Sequence, residues 1–111
     1  MFTREVAINK VKDFTNELLD AGIVLDKVIL YGSYARNQQK EDSDIDVALF
    51  SERFSGFGFD DKGLFVTIKL KDEYLDIETK TFKSKNGVSE NPFTELIERT
   101  GIVIYKSNIV N

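Results

Sequence analysis

The sequence predicts an α/β (α+β) chain: a small mixed β-sheet of three to four strands packed against helices. Three observations predict it. Apolar residues recur at helical spacing from Ala7 to Leu19, and a short unbroken apolar run follows at 28–31. Two later stretches, 44–50 and 74–82, alternate with the period of two that a half-buried strand requires. At 111 residues the chain reads as a single domain over 1–111, burying roughly two-thirds of the surface its unfolded form would expose.

The first helix has Thr3 as its N-cap and Gly22 as its stop, since glycine most readily takes the left-handed backbone past a helix end. Ala7, Val11, Phe14 and Leu18, with Ile8 and Leu19 beside them, form the face that packs on a core. Val28, Ile29, Leu30 and Tyr31 read as a buried central strand ending at Gly32, and 33–37 as a brief helix. Residues 38–43 are polar and read as a solvated loop. In the strand over 44–50, Asp44, Asp46 and Ala48 share one face; Ile45, Val47 and Leu49 share the other.

Residues 51–63 hold three glycines and no strong period, which suggests a mobile excursion anchored by Phe54, Phe57 and Phe59. For 64–71 periodicity leaves helix and strand tied: Leu64, Phe65 and Ile68 fit a helix face, while Val66, Ile68 and Leu70 alternate. The strand over 74–82 directs Leu75, Ile77 and Thr79 to one side and Asp76, Glu78 and Lys80 to the other. After a turn at 84–87, Asn91 as N-cap and Pro92 in the first turn open a helix through Arg99, with Leu96 and Ile97 inward and Gly101 as its stop. Residues 102–105 suit a last strand.

Composition excludes several chemistries. A net charge of −4 supplies no overall positive field, so nucleic-acid binding by the chain itself is disfavoured. No stretch approaches the roughly 20 apolar residues of a membrane span, and Met1 leads into an amphipathic helix and not a signal-peptide core, so the expected location is cytoplasmic, with no membrane partner. The chain has no cysteine and no histidine, which removes disulfides, thiolate zinc sites, cysteine nucleophiles and imidazole bases. Chemistry is left to carboxylates, hydroxyls, Lys, Arg and backbone amides.

Asp44 and Asp46, two apart on a strand, place their Cα atoms about 6.6 Å apart on one face. At an effective dielectric of ~20 such charges repel by roughly 2 to 3 kcal/mol, a cost that a shared hard cation such as Mg²⁺ reverses. Asp42, Asp44 and Asp46 imitate the start of a calcium loop, but Val47 stands where that loop requires glycine and Arg53 where it requires glutamate. At Gly32-Ser33 a strand passes into a turn where backbone N–H groups and a hydroxyl can approach a phosphate. The chain has neither GxxxxGK[ST] nor GxGxxG.

Taken together the two elements read G-S-x10-D-x-D, with a strand before the Gly-Ser and a strand under the aspartates. Here GSYARNQQKEDSDIDVALF resembles the minimal nucleotidyltransferase (MNT) domains of the DNA polymerase β-like superfamily, and LDIETK and PFTELIERTGIVIY resemble the closing strand and helix of that nucleotidyltransferase fold. The resemblance implies that Gly32 and Ser33 hold the nucleotide phosphates with Arg36 nearby, and that Asp44 and Asp46 coordinate two Mg²⁺ ions. It implies a third carboxylate on a later strand that completes the metal site and helps activate the attacking hydroxyl, with Asp76 as the choice and Glu78, on the same face, as the alternative. Asn37 departs from the glycine common after GSxAR, and the family pattern asks for a helix over 64–71.

The activity implied is Mg²⁺-dependent transfer of a nucleoside monophosphate, AMP from ATP, to a hydroxyl acceptor. Free-standing domains of this kind are often antitoxins of a HEPN-type toxin, some of which they silence by adding AMP to a tyrosine. The small size fits a partner that supplies the acceptor. Two other readings stay open: a non-catalytic antitoxin that neutralises its partner by forming a complex, and an enzyme acting on a small molecule.

Overall fold

The computed structural model describes residues 2–108. The Thr3 hydroxyl accepts the Val6 amide hydrogen at 3.1 Å and so starts α1 (Arg4–Asp20). Gly22, at φ +86°, ends it, and the Gly22 and Ile23 amides close back on the Leu19 and Leu18 carbonyls, each at 3.0 Å. Ala7, Val11, Phe14 and Leu18 are fully buried along one stripe. Truncating Phe14 to alanine would cost about 3 to 5 kcal/mol.

Four strands form one sheet: β1 (Lys27–Tyr31), β2 (Ile45–Ser51), β3 (Ile77–Lys83) and β4 (Ile102–Lys106). Their order is β3-β2-β1-β4, with β1 antiparallel to both β2 and β4 and β2 parallel to β3. The expected small mixed sheet against helices is borne out. A parallel pair needs a crossover, and the chain supplies it with α2 (Gly58–Lys62), α3 (Val66–Lys69) and a 3₁₀ turn, Asp72–Tyr74.

Both faces of the sheet are covered. Ile45, Val47 and Leu49 join Phe14, Phe54, Phe65 and Tyr74 in the larger cluster under α1, whereas Ile29, Tyr31, Ala48, Phe50 and Phe82 meet Ile97 of α4 (Phe93–Thr100) on the other side. Double coverage is why β1 reads as an unbroken apolar run. The expected cap moves by one residue: Pro92 is the N-cap of α4, and Asn91 just before it accepts the Phe93 amide hydrogen at 3.0 Å. At the stop, a Cβ on Gly101 would lie 2.4 Å from Ile29 and 2.5 Å from the Ile97 carbonyl; glycine lets helix and sheet meet there.

Several expectations fail for tertiary reasons. Residues 33–37 form a single turn and no helix. The strand expected from 74 begins at Ile77, because Tyr74 turns into the core, 5.1 Å from Phe14 between ring centres, with its hydroxyl donating to Glu17. The excursion over 51–63 contains α2, and Phe54 alone of its phenylalanines is buried; Phe57 and Phe59 are 72% and 93% exposed. The helical reading of 64–71 holds for the single turn of α3. Leu96, expected inward, is exposed.

Candidate active site

The sheet aligns three strands at one end into a row. Tyr31 of β1 pairs with Asp46 of β2, and Asp46 pairs with Glu78 of β3. Paired residues project to the same face of a sheet from strands about 4.8 Å apart, so Glu78 and Asp46 are lateral neighbours. Asp44 sits exposed just before β2, one step along that face. Asp76 lies in the turn before β3, and its carbonyl accepts the Ile45 amide hydrogen at 2.8 Å, level with the entrance to β2.

Gly32 closes the row against β1. Its φ of +75° is a conformation that L side chains rarely adopt, and a Cβ there would lie 2.2 Å from Asp46 Oδ2. The phosphate-type turn and the carboxylate thus touch directly. Past Ser33 the chain makes one turn, with the Asn37 amide donating to the Tyr34 carbonyl at 3.2 Å and the Gln38 amide to the Ser33 carbonyl at 2.8 Å. Asn37 takes φ +54°, a left-handed geometry that asparagine tolerates better than most residues, so it performs the closing role usually given to glycine.

Electrostatics single out Asp46. Burial, then the charges of Asp44 and Glu78, push its pKa above the ordinary carboxylate value, against the opposing pull of Lys80 and Arg36. Burial, then the charges of Asp46 and Glu78, push the Tyr31 phenol up as well. On the β3 side, Lys62 lies 3.6 Å from Glu78. Burial, with Lys62 adding to it, holds the half-buried Lys69 ammonium below its usual value despite the carboxylates of Glu78, Asp76 and Asp44.

Oxygen donors are the only type this row offers. Among the described residues no three carboxylates close into a ready-made metal cage. Oxygen donors are what a hard cation such as Mg²⁺ takes, commonly one or two carboxylates with water and phosphate completing its shell.

A family model described as polymerase beta, nucleotidyltransferase matches residues 9–109. The chain belongs to that family. The crystal structure of a Sulfolobus solfataricus protein assigned as a nucleotidyltransferase superposes on this domain with a TM-score of 0.66, covering 93% of this chain and 83% of that one at 14% identity. That likeness is one of fold. Among functionally curated proteins no sequence match is found. No helix among the described residues is long and apolar enough to cross a membrane.

Every residue singled out in the sequence of this nucleotidyltransferase domain lies at one end of the sheet. Gly32 and Asp46 are in contact distance of each other, Arg36 and Asp44 fall within the field of Asp46, and Ser33 begins the adjoining turn. Lys62, Lys69 and Lys80 were missed. Strand alternation puts Lys80 on the face of Glu78, which was the available signal; Lys62 and Lys69 come from the crossover and carry none.

Proposed function

We propose that this domain is a Mg²⁺-dependent nucleotidyltransferase that moves AMP from ATP to a hydroxyl on a partner protein, acting as the antitoxin of a HEPN-type toxin. The observation that carries the reading is the row Gly32, Asp46, Glu78: a Gly-Ser turn just past β1, a desolvated carboxylate on β2 and a second carboxylate beside it on β3. Gly32 N–H and the Ser33 hydroxyl bind the triphosphate, and Arg36 neutralises its charge. Asp44 and Asp46 hold the metal, two ions in the family's chemistry. Bound there, it supplies Lewis-acid polarisation of the phosphate and a lowered pKa for the attacking hydroxyl.

The acceptor oxygen attacks the α-phosphorus, forming a new P–O bond as the bond to the β-phosphate oxygen breaks and pyrophosphate leaves. The acceptor's proton passes to a carboxylate on the side away from the phosphates. Register favours Glu78 over Asp76 for that base, because Glu78 is the residue paired with Asp46 while Asp76 precedes the strand. Glu78→Gln should then lower transfer far more than Asp76→Asn; the reverse order would hand the role to Asp76.

The test mixes the domain, Mg²⁺, α-labelled ATP and the co-encoded partner. Label should appear on the partner and vanish when Asp44→Ala and Asp46→Ala are combined. A double variant that still neutralises the toxin would overturn catalysis as the means and leave complex formation.

A further inference from the structure

The row has a direction, and it implies where the acceptor lies; this step rests on the function just proposed. Phosphates belong at the Gly32 end on β1, so the opposite end, on β3, faces the incoming hydroxyl. There the cover thins: Glu78 and Lys80 of β3 are exposed on that face, and it closes again at the buried Phe82, which packs with Ile97 of α4. A cavity of about 360 Å³ starts at Glu78 and includes Lys62, Lys80 and the Phe93 ring. A larger one of about 660 Å³ continues past Lys85 and Val88, and the two share Gly56, Phe82 and Asn91, so they are one groove along β3.

Its charge opposes that of the chain. Lys62, Lys80, Lys83 and Lys85 line it against Glu78 and Glu90, in a protein of net charge −4. Lys62 is turned to Glu78 at 3.6 Å and Lys83 to the Glu52 carbonyl at 3.2 Å. Lys80 lies 5.4 Å from the centre of the Phe93 ring, itself edge-on to Tyr31. From Glu78 to Lys83 the strand spans about 17 Å, the reach of some five extended residues.

We infer that this groove is the acceptor channel, and that it takes an extended acidic segment of a partner protein that presents its acceptor hydroxyl to Glu78. The acidic flanks lie along Lys80 and Lys85.

Labelled pentapeptides with a central tyrosine and acidic, glycine or lysine flanks test this by fluorescence polarisation without nucleotide, beside a labelled oligothymidine. The acidic peptide should bind best, weaken about tenfold or more with Lys80→Glu plus Lys85→Glu, and recover with arginine at both positions. Thermal melts check that each variant is folded, and Asp44→Ala plus Asp46→Ala should leave peptide binding in place. Equal affinity for all three peptides, preference for the oligonucleotide, or indifference to charge reversal would overturn the channel. Adding ATP and Mg²⁺ separates the two proposals: charge-selective binding without transfer removes the catalytic reading and keeps the groove, while transfer to a partner without peptide binding does the opposite.

Discussion

Two aspartates of this domain, the buried Asp61 and the half-buried Asp46, both carry a cost of desolvation and meet it in opposite ways. Asp61 is satisfied by four donors: Ser55 N–H at 2.7 Å, Ser55 Oγ at 2.9 Å, Gly56 N–H at 3.0 Å and Thr81 Oγ1 at 2.7 Å. Burial raises its pKa, but these bonds outweigh it and hold the carboxyl below its usual value. Asp46 has no such donors among the described residues; its surroundings are burial and two like charges, and its pKa moves up. A satisfied carboxylate holds a fold together, whereas one that is desolvated beside its own kind stores a cost that a cation can release.

That contrast breaks most sharply under mutation. Asp46→Ala should reduce transfer by about 10³-fold or more, equivalent to about 4 kcal/mol of transition-state stabilisation, while the melting temperature holds or rises. A melt lowered by several degrees would put Asp46 in the structural class instead. In wild type, added Mg²⁺ should raise the melting temperature, and in Asp46→Ala it should not.

Gly32→Ala should cost about 2 to 3 kcal/mol in denaturant titrations, because it imposes both a strained backbone and a collision with the Asp46 carboxylate. Combined with Asp46→Ala the loss should fall short of the sum, since the collision has gone. Strict additivity would mean that the strain is all in the backbone. Asp61→Asn should cost about 2 kcal/mol, lowering the melting temperature by roughly 10 °C while leaving transfer per folded molecule within a few-fold of wild type.

The smallest effect is in pH, where the two residues have opposite signs. The lowered Asp61 pKa contributes stability that is complete above its unfolded value, near about 4, and is lost as pH falls through the folded value. For Asp46 the folded pKa is the higher, so stability declines as pH rises from about 4 through that value. Melts of Asp61→Asn and Asp46→Asn across acid pH should therefore diverge from wild type in opposite directions. Parallel curves would dissolve the distinction.

The parts of this fold legible in the sequence are those with local signals. Thr3, the apolar stripe to Leu18 and Gly22 define α1 within one segment, and Asn91-Pro92 opens α4 in the same way. The Gly-Ser turn and the aspartate pair were legible because spacing and alternation place them on one end of a sheet. The crossover was not, since its organiser is a carboxylate whose partner Thr81 lies 20 residues further on. Nor was the level of Asp76 and Glu78 against β2: both fall on one face by period two, and the pairing register is what sets Glu78 opposite Asp46 and leaves Asp76 before the strand. Exposed Phe57 and Phe59 were misjudged because hydrophobicity alone does not say which phenylalanine reaches the core; Phe54 does, beside Phe65 at 6.4 Å.

The contact between Gly32 and Asp46 has a consequence for descent. The carboxylate we propose for the chemistry is also the wall that forbids a side chain at position 32, so the two positions constrain each other's substitution. Once Asp46 shrinks to alanine, only the positive φ still restrains position 32, and asparagine or aspartate can satisfy it. A descendant carrying that pair of changes would bear the mark of a domain that has given up transfer and kept its fold.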